Sequence, residues 1–429
     1  MANLALLERM KEQLFPHVLT PKNLANNFGV FRELVKHLEQ IDPYVDVEPT
    51  CALEFINLLN SVHGWLLQSS GNANHLLEPL GRLNHICIVS YAHFKQKESS
   101  IQPIPTTSQQ LVPSPKTKID DADADKQKTT IGIITVLKHE FMPMEEVLTH
   151  SREREYQFAG RGYQFRIGEI TSKFGGTHTV AVHQCNMGEN SASTRATAML
   201  ALFPNIDIVF MTGIAGGIPF PVPPARSAEK HVRLGDIVIS NIHGVVQYDF
   251  VKESQTFKEV RSSPIRPSSE WLDVVKKLEA GIEKSDFPWE SILVDFLKKH
   301  TSYVRPSPDK DVLYGSDENS SIVPHPDDEH RREGQPRVFL GRIASSNTLL
   351  KNPFLRDRLR DEHDARAVEM ETSGVADATW DHGKGYMAVR GICDYCDDHK
   401  NNIWQRYAGA CAAAFTRALI EAKAPKSIS

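Results

Sequence analysis

The apolar positions along this chain change their spacing twice. Over residues 1 to 97 they recur at helical intervals. Leu4, Leu7, Met10 and Leu14 share one face, and Leu24, Phe28, Phe31, Leu34, Val35 and Leu38 form a stronger stripe that stops at Asp42-Pro43. Phe55, Ile56, Leu59, Val62 and Leu66 form a third stripe behind Pro49, and a fourth runs from about Asn74 to Lys95. This pattern predicts a small bundle of four amphipathic helices over 1–97. Between Glu98 and Thr129 the apolar residues thin out. Pro103, Pro105, Pro113, Pro115 and an acidic DDADAD run take their place, which predicts a flexible tether without a core of its own.

From Thr130 to about residue 425 the spacing changes again, to short apolar runs alternating with helical stretches. Strands are predicted at Thr130 to Leu137, Tyr163 to Thr171, Thr177 to Gln184, within NIDIVFMTG, at Leu234 to Ser240, within FLGRIAS, at Ala365 to Glu371 and at Tyr386 to Ile392. Helices are expected from about Lys138, around Ser191, across Trp271 to Lys299, from Thr372, and from Ile403 to Ala422. This alternation predicts an α/β domain. From Ser302 to Arg337 the chain is polar and proline-rich, an irregular excursion expected to act as a flap over a pocket.

Three carboxylates stand at predicted strand tips, where open α/β sheets bind ligands. Asp394 ends the last strand, Glu371 ends the one before it, and Glu140 lies just past the first. Each has a plain alternative as a first-turn acid favoured by the helix dipole. Met187-Gly188, followed by Ser191, Ser193, Thr194 and Arg195, forms a glycine-bearing turn before a helix, whose N–H groups can hold an anion or sugar oxygens. A capped helix with an exposed Arg195 fits equally well. The glycines of TGIAGG let backbone approach a flat ligand.

These stretches, in order, resemble the nucleoside phosphorylase and nucleosidase superfamily. The motifs are IGIITVLKHEF (131–141), TGIAGG (212–217), LGDIVIS (234–240), VEME (368–371) and RGICDYCDDHK (390–400). HGVVQYDF (243–250) and the C-terminal CDY-DDHKN-W-YA pattern are most similar to a branch found as one module of multidomain, immune-type proteins. The resemblance spans about 290 residues, from Thr130 to Ala422. It implies a mixed central sheet flanked by helices and cleavage of an N-glycosidic bond. Asp394 would protonate the leaving base at N7, and Glu371 would hold the ribose 2′- and 3′-hydroxyls and stabilise positive charge on the sugar. Glu140 would activate water, and Met370 would pack on the ribose. The resemblance places Ala215, Gly216, Gly217, Ser346 and Asn347 beside the base, and Gly188 and Arg195 near ribose or anion. Glu140 favours water over phosphate as nucleophile. Leu349 stands where nucleosidases carry an aromatic against the base.

Composition narrows the picture. The chain has 429 residues, more than one typical core, and a formal charge of −5, so wholesale nucleic-acid binding is not expected. Six scattered cysteines, including the Cys393/Cys396 pair, fit reduced thiols in the cytoplasm. One CxxC does not specify zinc, and His325, Asp327, Asp328, Glu329 and His330 read as a solvated loop. No metal or cofactor is expected. No apolar run is long enough to span a membrane, and the N-terminus lacks the basic region of a signal peptide. The expected ligand is a purine nucleotide, ATP foremost under the immune-type resemblance. Lys138, His139, Arg195, His399, Lys400 and Arg406 are candidates for its phosphates. Homo-oligomerisation, and a protein partner or activator at the N-terminal helices, are expected from the domain arrangement. Phosphorolysis, methylthioadenosine cleavage and a nucleotide-binding signalling module stand as alternatives.

Overall fold

The computed structural model describes residues 121–220, 227–253, 258–261, 265–317 and 320–426. All belong to one compact unit, Thr117–Ser429. The helical bundle expected over 1–97 and the tether from 98 to 120 lie outside the described residues.

The tether ends sooner than its composition predicts. Asp121–Lys128 is a helix, α1, leading directly into β1, Thr129–Thr135. Asp125 of α1 is buried because Arg152 and Arg154 both pair with it, and these cations pull its carboxyl below the usual range against the opposing effect of burial. Both arginines lie on β2, Thr149–Phe158, a charged strand that the apolar pattern does not announce.

The remaining elements follow closely the predicted alternation. They are α2 (Lys138–Glu146), β3 (Arg161–Thr171), β4 (Thr177–Gln184), α3 (Glu189–Leu202), β5 (Ile208–Gly217) and β6 (Ile237–Gln247). Two helices, α4 (Ser269–Ile282) and α5 (Pro288–Lys299), occupy the single stripe expected at 271–299. The chain continues through β7 (Val338–Ser345), α6 (Pro353–His363), β8 (Ala365–Glu369), α7 (Thr372–Asp381), β9 (Gly385–Asp394) and α8 (Gln405–Glu421).

Nine strands form one mixed sheet in the order β8-β7-β6-β9-β5-β1-β4-β3-β2. β4, β1, β5 and β9 run parallel, so their carboxyl ends share one edge. β8 also pairs antiparallel with the end of β5, through Ala367–Gly217 and Val368–Gly216. This closes β5, β9, β6, β7 and β8 into a ring and turns the tip of β8 toward the tips of β5 and β9. The central strands are apolar on both faces because helices cover both, as parallel sheets require. α8 is the main cover: its alanine-rich face is buried and packs on β5 and β9.

The polar excursion from residue 301 to 337 is held down at several points. Asp311 is buried and accepts from Tyr395 Oη at 2.6 Å and Arg233 Nε at 2.7 Å. Tyr314 stacks on His399 at 3.7 Å between ring centroids. The expected flap is therefore a buttress behind the turn after β9, and among its described residues none lines the cavity described below. Its acidic-histidine run is only partly the solvated loop expected. Glu329 and His330 are exposed, but His325 bonds His231 at 2.8 Å, and Asp328 pairs with Arg331 and Arg337.

Candidate active site

A cavity of about 250 Å³ opens where the tips of β1, β5, β8 and β9 meet. Glu140, Glu371 and Asp394 all line it, with Met370, Ala215 and Gly216. Each carboxylate is fixed by its local backbone. Glu140 sits in the first turn of α2 and reaches back to accept from the N–H groups of Val136 and Leu137, at 2.7 and 2.8 Å. Its other oxygen accepts from Ile214 N–H at 2.8 Å, tying β1 to β5. The helix-capping reading and the functional reading thus hold together, since the cap is what aims the carboxyl. Gly213 is required here, because a Cβ would stand 2.6 Å from Glu140 Oε1 and 2.9 Å from Arg390 Nη1.

Arg390 is the hub of one side of the cavity and is fully buried in β9. It pairs with Glu369, lies 3.6 Å from Glu371 and donates to Thr372 Oγ1 at 3.2 Å. Glu140 and Glu369 share this cation's field with Glu371. Glu369 itself accepts from the N–H groups of Glu371 and Thr372, which fixes the β8–α7 turn. Three carboxylates around one guanidinium leave the site net negative. Burial, and then the Glu369 charge, push the Glu371 carboxyl up to about 7 against the pull of Arg390. Glu371 Oε1 accepts from Gly188 N–H at 3.1 Å. The anion held by the glycine turn is therefore an internal carboxylate.

On the other side Asp394 meets a different environment. Its Oδ2 pairs with Lys400 Nζ at 2.8 Å and accepts from the Cys393 thiol at 3.1 Å. Its Oδ1 accepts from Cys396 N–H at 2.9 Å. Burial pushes both thiols up, so they stay protonated. Gly216 lets the carboxylate close on β5, since a Cβ there would stand 2.9 Å from Oδ1.

The other expected ligand-binding residues lie behind or away from the cavity wall. Gly217 is buried against Ile392, and Ser346 is buried with its hydroxyl accepting from Thr348 N–H. The Asn347 side chain accepts from Glu189 N–H and donates to the Glu189 carboxylate. Arg195 stacks over the Tyr163 ring at 4.8 Å, in a separate groove with His183 and Gln184. His399 and Arg406 face Tyr314 and Tyr303. Lys351 lines the cavity and was not expected there, while Lys138 is exposed beside the lining residue Leu137. Leu349 lines the mouth and is 50% exposed.

Two central residues escaped the sequence reading. Arg390 looks like a break in an apolar run, and Glu369 like the solvent-facing half of an alternation. The usable signal was one charge inside a strand otherwise buried on both faces, which demands a buried partner. Among the described residues no group of His, Cys, Asp and Glu is arranged to hold a metal ion, and no helix is long and apolar enough to cross a membrane.

Comparison with known proteins agrees with this geometry. The profile of the phosphorylase superfamily matches residues 130–421. A nucleotide-binding leucine-rich repeat (NLR)-like protein of Hyaloscypha variabilis is 30% identical over 278 residues, 62% of this chain and 26% of that protein. The chain thus matches about a quarter of that relative's length. A 5'-methylthioadenosine/S-adenosylhomocysteine nucleosidase of Mycobacterium bovis is 23% identical over 68% of this chain and 95% of its own. ATP nucleosidase Cap17 of Escherichia coli is 40% identical over 75 residues, 17% of this chain and 15% of that one. With the profile covering every strand of the sheet and all three strand-tip carboxylates, the chain belongs to the phosphorylase superfamily.

Proposed function

We propose that the chain is a purine N-glycosidase that uses water to cleave the base–ribose bond of adenine nucleotides, ATP foremost. The observation that carries the reading is the convergence of Glu140, Glu371 and Asp394 on one cavity. The bond breaks through a state with positive charge on the sugar and negative charge on the base. Glu371 meets the sugar and its hydroxyls, and the net negative hub around Arg390 stabilises the cation forming there. Glu140, held by three N–H groups, takes a proton from water as its oxygen attacks C1′. Asp394 serves N7 of the base, and Met370 packs on the ribose. Gly216 and Ala215 supply a wall that a planar ring can approach.

The choice of ATP is supported by the similarity to the Escherichia coli ATP nucleosidase and by the NLR-like relative. The same relatives support a role as the effector of an immune-type response. Lys351, in the lining, and Lys138, exposed beside it, would meet a 5′-phosphate chain, while Lys400, also in the lining, is paired with Asp394. We also propose that the unit oligomerises and that the segment 1–97 receives an activating partner. Methylthioadenosine cleavage is the second reading, favoured by Leu137, Met187, Ile214 and Leu349 in the lining and by the mycobacterial relative. Incubation with ATP, AMP, adenosine and methylthioadenosine separates the readings. The proposal predicts fastest release of adenine from ATP, and faster release from methylthioadenosine would replace it with the second reading.

A further inference from the structure

We propose that Lys400 supplies the proton that Asp394 passes to the leaving base. This deepens the N-glycosidase reading and rests on it. Among the described residues, Lys400, Cys393 and Cys396 all meet the Asp394 carboxylate as donors. Lys400 Nζ and the Cys393 thiol approach Oδ2, and Cys396 N–H approaches Oδ1. A carboxylate so surrounded acts as an acceptor on both oxygens, yet an adenine leaving group needs a proton at N7. Two kinds of neighbour hold a transferable proton. The thiols are poor sources, because burial penalises the thiolate that would remain. Lys400 is the better-placed source: its ammonium lies 2.8 Å from Asp394 Oδ2, carries the proton at neutral pH, and leaves an uncharged amine, not a buried anion, once that proton has moved on.

The position of Lys400 is built, not incidental. It lies in the turn after β9, where Asp397 is buried, accepts from Lys400 N–H at 3.2 Å through its carbonyl and from His399 N–H at 2.9 Å through its side chain. Tyr314 stacks on His399, and Arg356 donates to the Tyr395 carbonyl at 3.1 Å. The excursion and α6 thus clamp both ends of the turn that carries the lysine. The charged and titratable groups facing the pair are Cys393, Cys396 and Asp397, with Arg356 behind the two latter. Across the cavity stand Glu371, Glu369 and Glu140 with Arg390. Asp394 raises the pKa of Lys400 against the opposing effect of its burial, so the proton is present at neutral pH.

The step balances. As the C1′–N9 bond breaks, its electron pair passes into the purine ring. One proton moves from Lys400 Nζ to Asp394 Oδ2, and one from the Asp394 carboxyl to N7. Asp394 ends as it began, Lys400 ends as a neutral amine that takes a proton from solvent, and adenine leaves uncharged. The water oxygen bonds to C1′ and its proton goes to Glu140.

Arginine and methionine at this position separate proton supply from charge and from packing. Arginine keeps the cation but does not release its proton in a protein. The substrates are ATP, whose base needs protonation, and 4-nitrophenyl β-D-ribofuranoside, whose leaving group departs as a stable anion. Lys400→Arg and Lys400→Met are each expected to lose about 10²-fold in kcat on ATP, the usual worth of a general acid. Both are expected to keep most of their rate on the aryl riboside. Full activity of Lys400→Arg on ATP, or an equal loss on both substrates by either variant, would overturn the assignment and leave Lys400 a positioning residue. Adenine release from ATP by the unsubstituted protein is scored separately, so failure of the lysine assignment leaves the N-glycosidase reading standing.

Discussion

The Arg390 side and the Asp394 side of the cavity, proposed to meet the sugar and the base, neutralise their charges in opposite ways. On the first, one fully buried guanidinium, Arg390, faces Glu369, Glu371 and Glu140, and its partners are fixed by backbone N–H groups. On the second, one carboxylate, Asp394, faces a lysine carried on a turn and clamped from behind. Under the proposed mechanism the first arrangement suits a charge that must stay where it is while a cation grows on the ribose, and the second a charge that must be exchanged as a proton moves. Guanidinium and ammonium are placed accordingly, the one permanently protonated, the other able to give its proton up.

Breaking the sugar-side hub should have the largest effect. Arg390→Met leaves carboxylates facing one another without their cation, and loss of one partner of a buried pair costs about 3–5 kcal/mol. A large drop in Tm, with activity lost, is expected by thermal unfolding monitored by circular dichroism. An unchanged Tm would mean the carboxylates share protons among themselves. On the Asp394 side, Asp394→Asn keeps the shape but cannot pass a proton, and a loss of about 10²–10⁴-fold in kcat on ATP is expected, with a smaller drop in Tm than in Arg390→Met because Lys400 is left without its counter-charge. Activity within the range of the unsubstituted protein would remove Asp394 from the chemistry.

The two sides should also separate by pH. Glu371, pushed up to about 7, is protonated below that pH and then no longer opposes the charge on the sugar. The rate kcat/KM is therefore expected to fall as pH drops below about 7, and Glu371→Gln should flatten this limb while lowering the plateau. A limb that survives in Glu371→Gln would belong to another group. The smallest effect is expected from Tyr314→Ala, which removes the stack behind His399 without touching the cavity. A loss of a few fold in kcat with KM little changed would show that the excursion acts through the turn carrying Lys400.

The same contrast explains what the sequence could show. Asp394, Glu371 and Glu140 were legible because each closes an apolar run, and strand tips are where ligands bind in this fold class. The strand and helix alternation from Thr130 onward was legible for the same periodic reason. Arg390 and Glu369 were not, because a period of two says which residues share a face and cannot say whether that face meets solvent or a buried counter-charge. Helix α1 was hidden in an acidic run, since the arginines that make its burial tolerable lie 27 and 29 residues further on. Arg195 illustrates the reverse case. Its place in a glycine-bearing turn suggested an anion, but the turn spends its N–H on Glu371 and the arginine lies over Tyr163. Residues from 302 to 337 looked like a flap because proline-rich polar chain is usually surface loop, and only the buried Asp311 and stacked Tyr314 make it a buttress.

In the proposed reaction, water activated at Glu140 attacks C1′ while Asp394 protonates the base. Chromatography of the products formed from ATP, with and without inorganic phosphate, separates this from phosphorolysis. Free adenine and ribose 5-triphosphate are expected at equal rates in both conditions, and both products should be lost in Glu140→Gln and Asp394→Asn. Adenine released only when phosphate is present, accompanied by a ribose 1-phosphate, would contradict the proposed reaction and make the chain a phosphorylase.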